Sequence, residues 1–327
     1  MFQLKRLEKS KRVAFIDRFA SGLVRRIKEG RKHDGKPISL HADVKSILIP
    51  GWNTLNPDLT IINTLLGGKP DQIKKLNDRL WRKMQALGGT ICPDKKDLEL
   101  LFNYENIISK NKENSYWIAN LIERNTCTYC NRQYCFTVER VPKKEGDSPH
   151  LVRPEFDHWF AKSDYPMLSL SLYNLIPSCK VCNSSIKGDA KMSLKKHIHP
   201  YILEKGLYDK FTFRAILKSK DKLDWGLTID RTPGSKIDNT IKAFALDEIY
   251  AMHAPLEVAD LMNFDITYNQ TFLKEIYESM FKENRMPITR KEAFRMLFGV
   301  EPDPLNTLDR PLSKLKRDLL KQLKVIK

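Results

Sequence analysis

Two Cys-x2-Cys pairs, Cys127-Thr-Tyr-Cys130 and Cys179-Lys-Val-Cys182, stand 48 residues apart and constrain this chain more than any other feature. Together they offer four thiolates to one tetrahedral zinc ion. Such a closed four-sulfur site is structural: it leaves no open position for water and ties two distant segments together. The other two cysteines are Cys92 and Cys135. Cys135 lies beside Phe136 and Val138 and reads as a buried core cysteine; neither is assigned a function. Six cysteines could form three disulfides in a secreted protein. However, the start MFQLKRLEKSKR lacks the apolar core of a secretory signal, and no run approaches the roughly 18 apolar residues of a membrane span. The expectation is a cytoplasmic protein with zinc rather than disulfides and with no membrane association.

Around the cysteines the hydrophobic pattern is mostly helical. Phe15, Phe19, Leu23 and Ile27 recur every four residues. A short helix is predicted over Leu59 to Leu66, ending at Gly67-Gly68. A longer one starts at Pro70-Asp71, carries Ile73, Leu76, Leu80, Met84 and Leu87 inward and stops at Gly88-Gly89. Segments 97–108 and 115–123 are also read as helices, the second with Trp117 and Leu121 on its buried side. Strands are predicted over Gln133 to Arg140 and Leu151 to Phe156, and Phe211 to Leu217 with Leu227 to Asp230 form a hairpin or extend the central sheet. After the Thr232-Pro233-Gly234 turn come helices over Ile237 to Met262, with a bend at Pro255, and Thr271 to Phe281. A last helix sets Leu312, Leu315, Leu319 and Leu323 on one stripe with lysines opposite. The fold class is therefore α+β, a mainly helical chain with a central cysteine-stapled core. Its division is a basic helical region 1–120, a core 121–205, and a small β element followed by helices over 206–327.

Charge points to the partner. Lys and Arg number 57 against 40 Asp and Glu, a formal +17, which suits a polyanion. Residues 1–36 alone hold 12 basic and 4 acidic side chains.

Between the cysteine pairs lie Glu155-Phe156-Asp157-His158-Trp159-Phe160, then Tyr173-Asn174-Leu175, and after the last cysteine Asn183-x3-Lys187-Gly188. Phosphodiester hydrolysis needs a nucleophile made from water and relief of charge on the leaving oxygen. A neutral imidazole can supply the first and Mg²⁺ or Mn²⁺ the second. His158 is the candidate general base, and Asp157 and Asn183 are candidate oxygen ligands for the divalent ion. Over residues 127–201 the order and spacing resemble the HNH endonuclease family, with its ββα-metal core and zinc-knuckle bracket. In that family an Asp-His ends one strand, an Asn lies in the connecting loop, and an Asn or His begins the helix. The third position here is Asn183 rather than the His of the family name. The resemblance implies that Asn174 bonds across the loop and orients His158. Lys187 is a candidate phosphate contact, with a plain solvent-exposed role equally open. His197 and His199, next to Pro200-Tyr201, read as packed or capping residues rather than ligands.

The resulting expectation is a metal-dependent endonuclease that cuts DNA. Phe244-Ala-Leu-Asp-Glu-Ile-Tyr250 and Arg310-Pro-Leu-Ser-Lys-Leu-Lys316 resemble, at the level of fold, helical extensions of some bacterial phage-defence HNH proteins. Because unregulated cutting would harm the cell, a regulatory partner such as an ATPase or sensor subunit is expected. Two alternatives stay open: an RNA-cleaving nuclease, and a zinc-stapled nucleic-acid-binding or assembly subunit that does not cut. Neither a base-reading helix nor an aromatic platform is evident in the sequence to separate DNA from RNA.

Overall fold

Helix α1 (Lys9–Glu29) buries Phe15, Phe19, Leu23 and Ile27 as its periodicity predicts. In this computed structural model, which describes residues 2–144, 146–188, 190–219, 223–267, 278 and 289–325, that stripe packs against the later helices of the N-terminal half. A hairpin missed by pattern reading follows, β1 (Arg31–His33) with β2 (Lys36–Ile38). Its two-residue turn, Asp34-Gly35, has both φ angles positive (47° and 76°), as a tight hairpin turn requires. Helices α2 (Ala42–Leu48), α3 (Thr60–Gly67), α4 (Pro70–Leu87), α5 (Lys95–Phe102) and α6 (Lys112–Ile122) complete this half. Gly67 lets α3 approach α1: a Cβ there would fall 2.6 Å from Ile16 Cδ1. On α6 the fully buried side chains include Tyr116, Ile118 and Ile122, whereas Trp117 and Leu121 are half-buried. Trp117 instead covers Phe15 and Phe19 and lies under the Arg18 guanidinium.

The strands differ from expectation in a way that matters for the site. The predicted strand over 133–140 reduces to a bridge at Tyr134 and the short β3 (Val138–Glu139), which pairs with β4 (His150–Val152). The strand predicted over 151–156 breaks at Arg153-Pro154, since proline has no N–H for a ladder. A new strand, β5 (Glu155–His158), then carries Asp157 and His158 and pairs antiparallel with β6 (Leu175–Ser178). All four β6 residues are buried, so the alternation that would announce a strand is absent. A helical turn, Val181–Lys187, follows directly after Cys179.

Strands β7 (Phe211–Ser219) and β8 (Asp224–Arg231) form their own two-stranded sheet. The helix predicted over 237–262 is interrupted twice, giving α7 (Lys236–Ala243), α8 (Leu246–Ala251) and α9 (Ala259–Thr267). Ala245 takes a positive φ of 46° at the first break, and Pro255 sits in the second. Apart from Glu278, the helix predicted over 271–281 lies outside the described residues. Helices α10 (Arg290–Phe298) and α11 (Ser313–Gln322) close the chain.

The lysine face expected on α11 needs correction, because Lys314 and Arg317 are buried. Lys314 pairs with Asp318, which also accepts the Phe213 N–H at 2.9 Å, so α11 is pinned to β7 by charge as well as by leucines. Burial is what pushes the Lys314 ammonium down and the Asp318 carboxyl up from their usual pKa ranges. Buried residues from all three predicted regions join in one hydrophobic cluster running from Phe2 to Leu319. No helix among the described residues is long and apolar enough to cross a membrane.

Candidate metal centre and adjoining cleft

The first cysteine pair sits in a tight loop closed by Cys127 N–H to the Gln133 carbonyl (3.0 Å) and Asn131 N–H to the Cys127 carbonyl (2.9 Å). Asn131 takes a positive φ of 50°, which turns the Arg132 N–H toward Cys130 Sγ at 3.5 Å. The second pair repeats the device at the start of the helical turn, with Cys182 N–H on Cys179 Sγ (3.5 Å) and Asn183 N–H on the Cys179 carbonyl (3.0 Å). Strand β6 and the turn after it thus deliver Cys179 and Cys182 to Cys127 and Cys130. All four sulfurs are buried and lie within 4.8 Å of one another. A tetrahedron with metal–sulfur bonds of about 2.3 Å needs sulfurs about 3.8 Å apart, so a small contraction completes it. Burial pushes the Cys127 thiol up to about 12. Sulfur–proton sharing centred on Cys127 raises Cys130 and Cys182 and lowers Cys179. Four negative sulfurs cannot coexist there without a cation, and the donor set fits a metal ion such as zinc. Cys135 is buried beside the cluster but is not one of its four members.

Later parts of the chain lock the first loop in place. Asn131 Nδ2 donates to the Thr307 and Arg310 carbonyls (3.0 and 2.9 Å), and its own carbonyl accepts the Leu312 N–H. Thr126 Oγ1 donates to the Leu308 carbonyl at 2.7 Å, and the Tyr250 hydroxyl donates to the Cys130 carbonyl. From the other terminus, the Phe2 N–H reaches the Thr128 carbonyl at 2.9 Å.

Next to the cluster, β5 and the turn Val181–Lys187 line a cleft of about 580 Å³ with Asp157, His158, Glu155, Asn183 and Lys187 on its walls. His158 donates from Nε2 to the Ser169 carbonyl at 2.9 Å. A carbonyl only accepts, so Nε2 carries the proton and Nδ1 keeps the lone pair in the neutral ring. The Tyr104 ring packs edge-on against the imidazole with centroids 4.3 Å apart. Desolvation lowers the His158 pKa to about 4, outweighing the opposing pull of the Ser169 carbonyl and Asp157, so the ring is neutral at pH 7.

The Asn174 side chain makes no hydrogen bond to His158. Its Oδ1 accepts the Phe160 N–H at 2.7 Å, and its Nδ2 donates to the Phe160 and Leu168 carbonyls at 3.1 and 2.9 Å. It braces the loop that presents the Ser169 carbonyl, so any orienting effect reaches the imidazole through the backbone.

Lys187 is neither an exposed lysine nor a free phosphate contact, because only 4% of it is exposed. Its Nζ donates to Asp157 Oδ1 at 2.8 Å and to the His158 carbonyl at 2.9 Å. The second oxygen of Asp157 accepts the hydroxyl of Tyr129, a residue between the first two cysteines. Burial and the neighbouring Asp157 charge hold Tyr129 far above the usual phenol pKa, keeping it a donor. Asn183 donates from Nδ2 to Glu155 Oε2 at 2.9 Å, joined by Ser184 Oγ at 3.2 Å. The amide oxygen of Asn183 is then the atom with lone pairs to offer.

Sequence reading missed Tyr129, Glu155, Tyr104 and Arg153, all of which line or brace this site. For Glu155 a signal existed: two residues before Asp157 on one strand, it shares that residue's face. His199 is buried among Trp159, Phe160 and Tyr201 away from the cleft, with Nδ1 accepting the Tyr201 N–H at 3.2 Å. His197 Nδ1 accepts the Ser193 N–H at 3.1 Å. Both are packed or capping residues, as expected.

Fold and site together define an α+β protein in which a buried four-cysteine cluster backs a polar cleft. Compared with family models, curated proteins and solved structures, the chain matches none.

Proposed function

We propose that this chain is a metal-dependent endonuclease of the HNH type, acting on DNA, with zinc in the four-cysteine cluster as its structural staple. The observation that carries the reading is the meeting of Asp157 and His158, from β5, with Asn183, from the helical turn that also carries Cys182, in one open cleft. Asp157, Asn183 and the unanticipated Glu155 supply hard oxygen donors, which suit Mg²⁺ or Mn²⁺. When bound, such an ion relieves the charge that builds on the scissile phosphate. His158, neutral and fixed through Nε2, accepts a proton from the attacking water at Nδ1 while the water oxygen bonds to phosphorus and the P–O3′ bond breaks, the departing O3′ taking up a proton from solvent water. The products are a 5′-phosphate and a 3′-hydroxyl, as the family resemblance implies. The net charge of +17 supports a polyanionic substrate, and cutting confined by a regulatory subunit, an ATPase or sensor in a defence system, is the setting we infer.

One observation favours a second reading, a nucleic-acid-binding subunit that does not cut: both oxygens of Asp157 are already bonded to protein donors, Lys187 and Tyr129. Each oxygen retains a further lone pair, so the first reading requires a divalent ion to share the carboxylate with them or displace Lys187. The test is cleavage of supercoiled plasmid, single-stranded DNA and RNA by wild type and His158→Ala, each with Mg²⁺, Mn²⁺ or EDTA. Metal-dependent nicking that disappears in a folded His158→Ala protein supports the nuclease and identifies its substrate. Nucleic-acid binding without cleavage, unchanged when ATPase or sensor partners are added, supports the second reading.

A further inference from the structure

Tyr134 and Phe136 are 54% and 42% exposed, although the fold has ample core to take them. Their rings stack on each other with centroids 4.5 Å apart and planes 19° apart. Between them Cys135 turns inward beside the cysteine cluster, so the pair points outward by simple alternation. The backbone beneath is rigid: Cys135 N–H bonds the Asn125 carbonyl at 2.7 Å, and Tyr134 bridges to Thr126. The same edge continues through exposed Val138, paired with exposed Val152 on β4. The next residue, Arg153, lines the cleft that holds His158. Arg140, Lys143 and Lys144 lie toward the far tip of the β3–β4 hairpin, whereas the cleft end of this edge carries cations of its own, Arg153 with Lys162 and Lys191 on the cleft walls; Glu139 is occupied by His150 and Asn120.

We propose that Tyr134 and Phe136 form a stacking platform for unpaired bases of a single-stranded nucleic acid whose backbone runs past Arg153 to the cations of the cleft. A flat aromatic face next to positive charge is what sequence-tolerant single-strand binding uses, since every base has a π-face and every nucleotide a phosphate. Duplex bases are already stacked and offer the rings nothing. A protein partner would take apolar side chains equally well, but it would give no reason for a parallel aromatic pair on an edge that leads to a cleft lined by Arg153, Lys162 and Lys191. The inference rests on the nucleic-acid reading above and specifies it: the strand entering the cleft is locally unpaired.

The test is fluorescence anisotropy of a fluorescein-labelled deoxythymidine oligomer and of a duplex of equal length, in magnesium-free buffer, with the 327-residue chain. Zinc content and melting temperature of each variant verify folding. The Tyr134→Ala/Phe136→Ala variant is expected to bind the single strand at least about tenfold more weakly and the duplex almost unchanged, and Tyr134→Trp/Phe136→Trp to restore binding. Wild-type affinity in the alanine variant overturns the platform. So does full binding by Tyr134→Leu/Phe136→Leu, which would mark a merely apolar face suited to a protein. If wild type nicks plasmid but the alanine variant binds as wild type, only the platform falls; if wild type binds neither probe, the nucleic-acid reading falls with it.

Discussion

Lys187 holds a charge out of water by holding another. With Asp157 and Lys187 each 4% exposed, the pair is sustained by its own geometry and by the Tyr129 and His158 backbone contacts. Lys187→Met strands the Asp157 charge and should cost about 3 kcal/mol or more in urea unfolding. Asp157→Asn/Lys187→Met should recover much of that loss, and a double variant no better than the single would count against a directly coupled pair. His199 gives a second residue-scale expectation, in pH. Burial lowers its pKa from 6.5 to about 3, so the folded state binds fewer protons than the unfolded chain between those values. Stability from the neutral ring is therefore complete above about pH 6.5 and is lost as the pH falls toward 3, with about 2 kcal/mol gone by pH 5. Unfolding titrations should show this slope diminished in His199→Phe; an equal slope in the variant would assign it to other groups.

At the scale of elements, the second knuckle, β6 and the turn Val181–Lys187 stand or fall together. Cys179→Ser should lower bound zinc and raise hydrogen exchange across residues 126–135 and 175–187, well before the N-terminal helices respond. Uniform exchange throughout the chain would contradict a local staple. These elements also show what a sequence can and cannot disclose. The amphipathic helices α1 and α4 were legible because one side of each meets water, and Cys-x2-Cys spacing announces its own purpose. Strand β6 was not, since a strand buried on both faces carries no alternation. Helix α11 misled because a buried lysine is indistinguishable by pattern from a solvated one until its partner, Asp318, is seen beside it. Asp157, His158 and Asn183, which line the cleft, could be named from the sequence, as could Asn174, which lies outside its lining. Their bonding could not, because Tyr129 and Ser169 reach them through folds of the chain that no local pattern encodes.

For the whole molecule, the cysteine core is completed by distant segments. Phe2, Tyr250, Thr307, Arg310 and Leu312 all bond to the first knuckle loop. An excised 121–205 fragment loses every one of those contacts and exposes apolar surface that belongs to a cluster shared along the chain. Supplied with zinc, it should show no cooperative thermal transition by circular dichroism. A sharp transition would establish an autonomous domain.

The Tyr129 hydroxyl joins the two halves of the site, because the residue that steadies Asp157 stands between two of the four clustered cysteines. On the proposed nuclease reading, metal stoichiometry would act as a census rather than a throttle: a half-loaded preparation would be a mixture of competent and incompetent molecules, so turnover would rise in proportion to zinc while the apparent substrate affinity stayed constant.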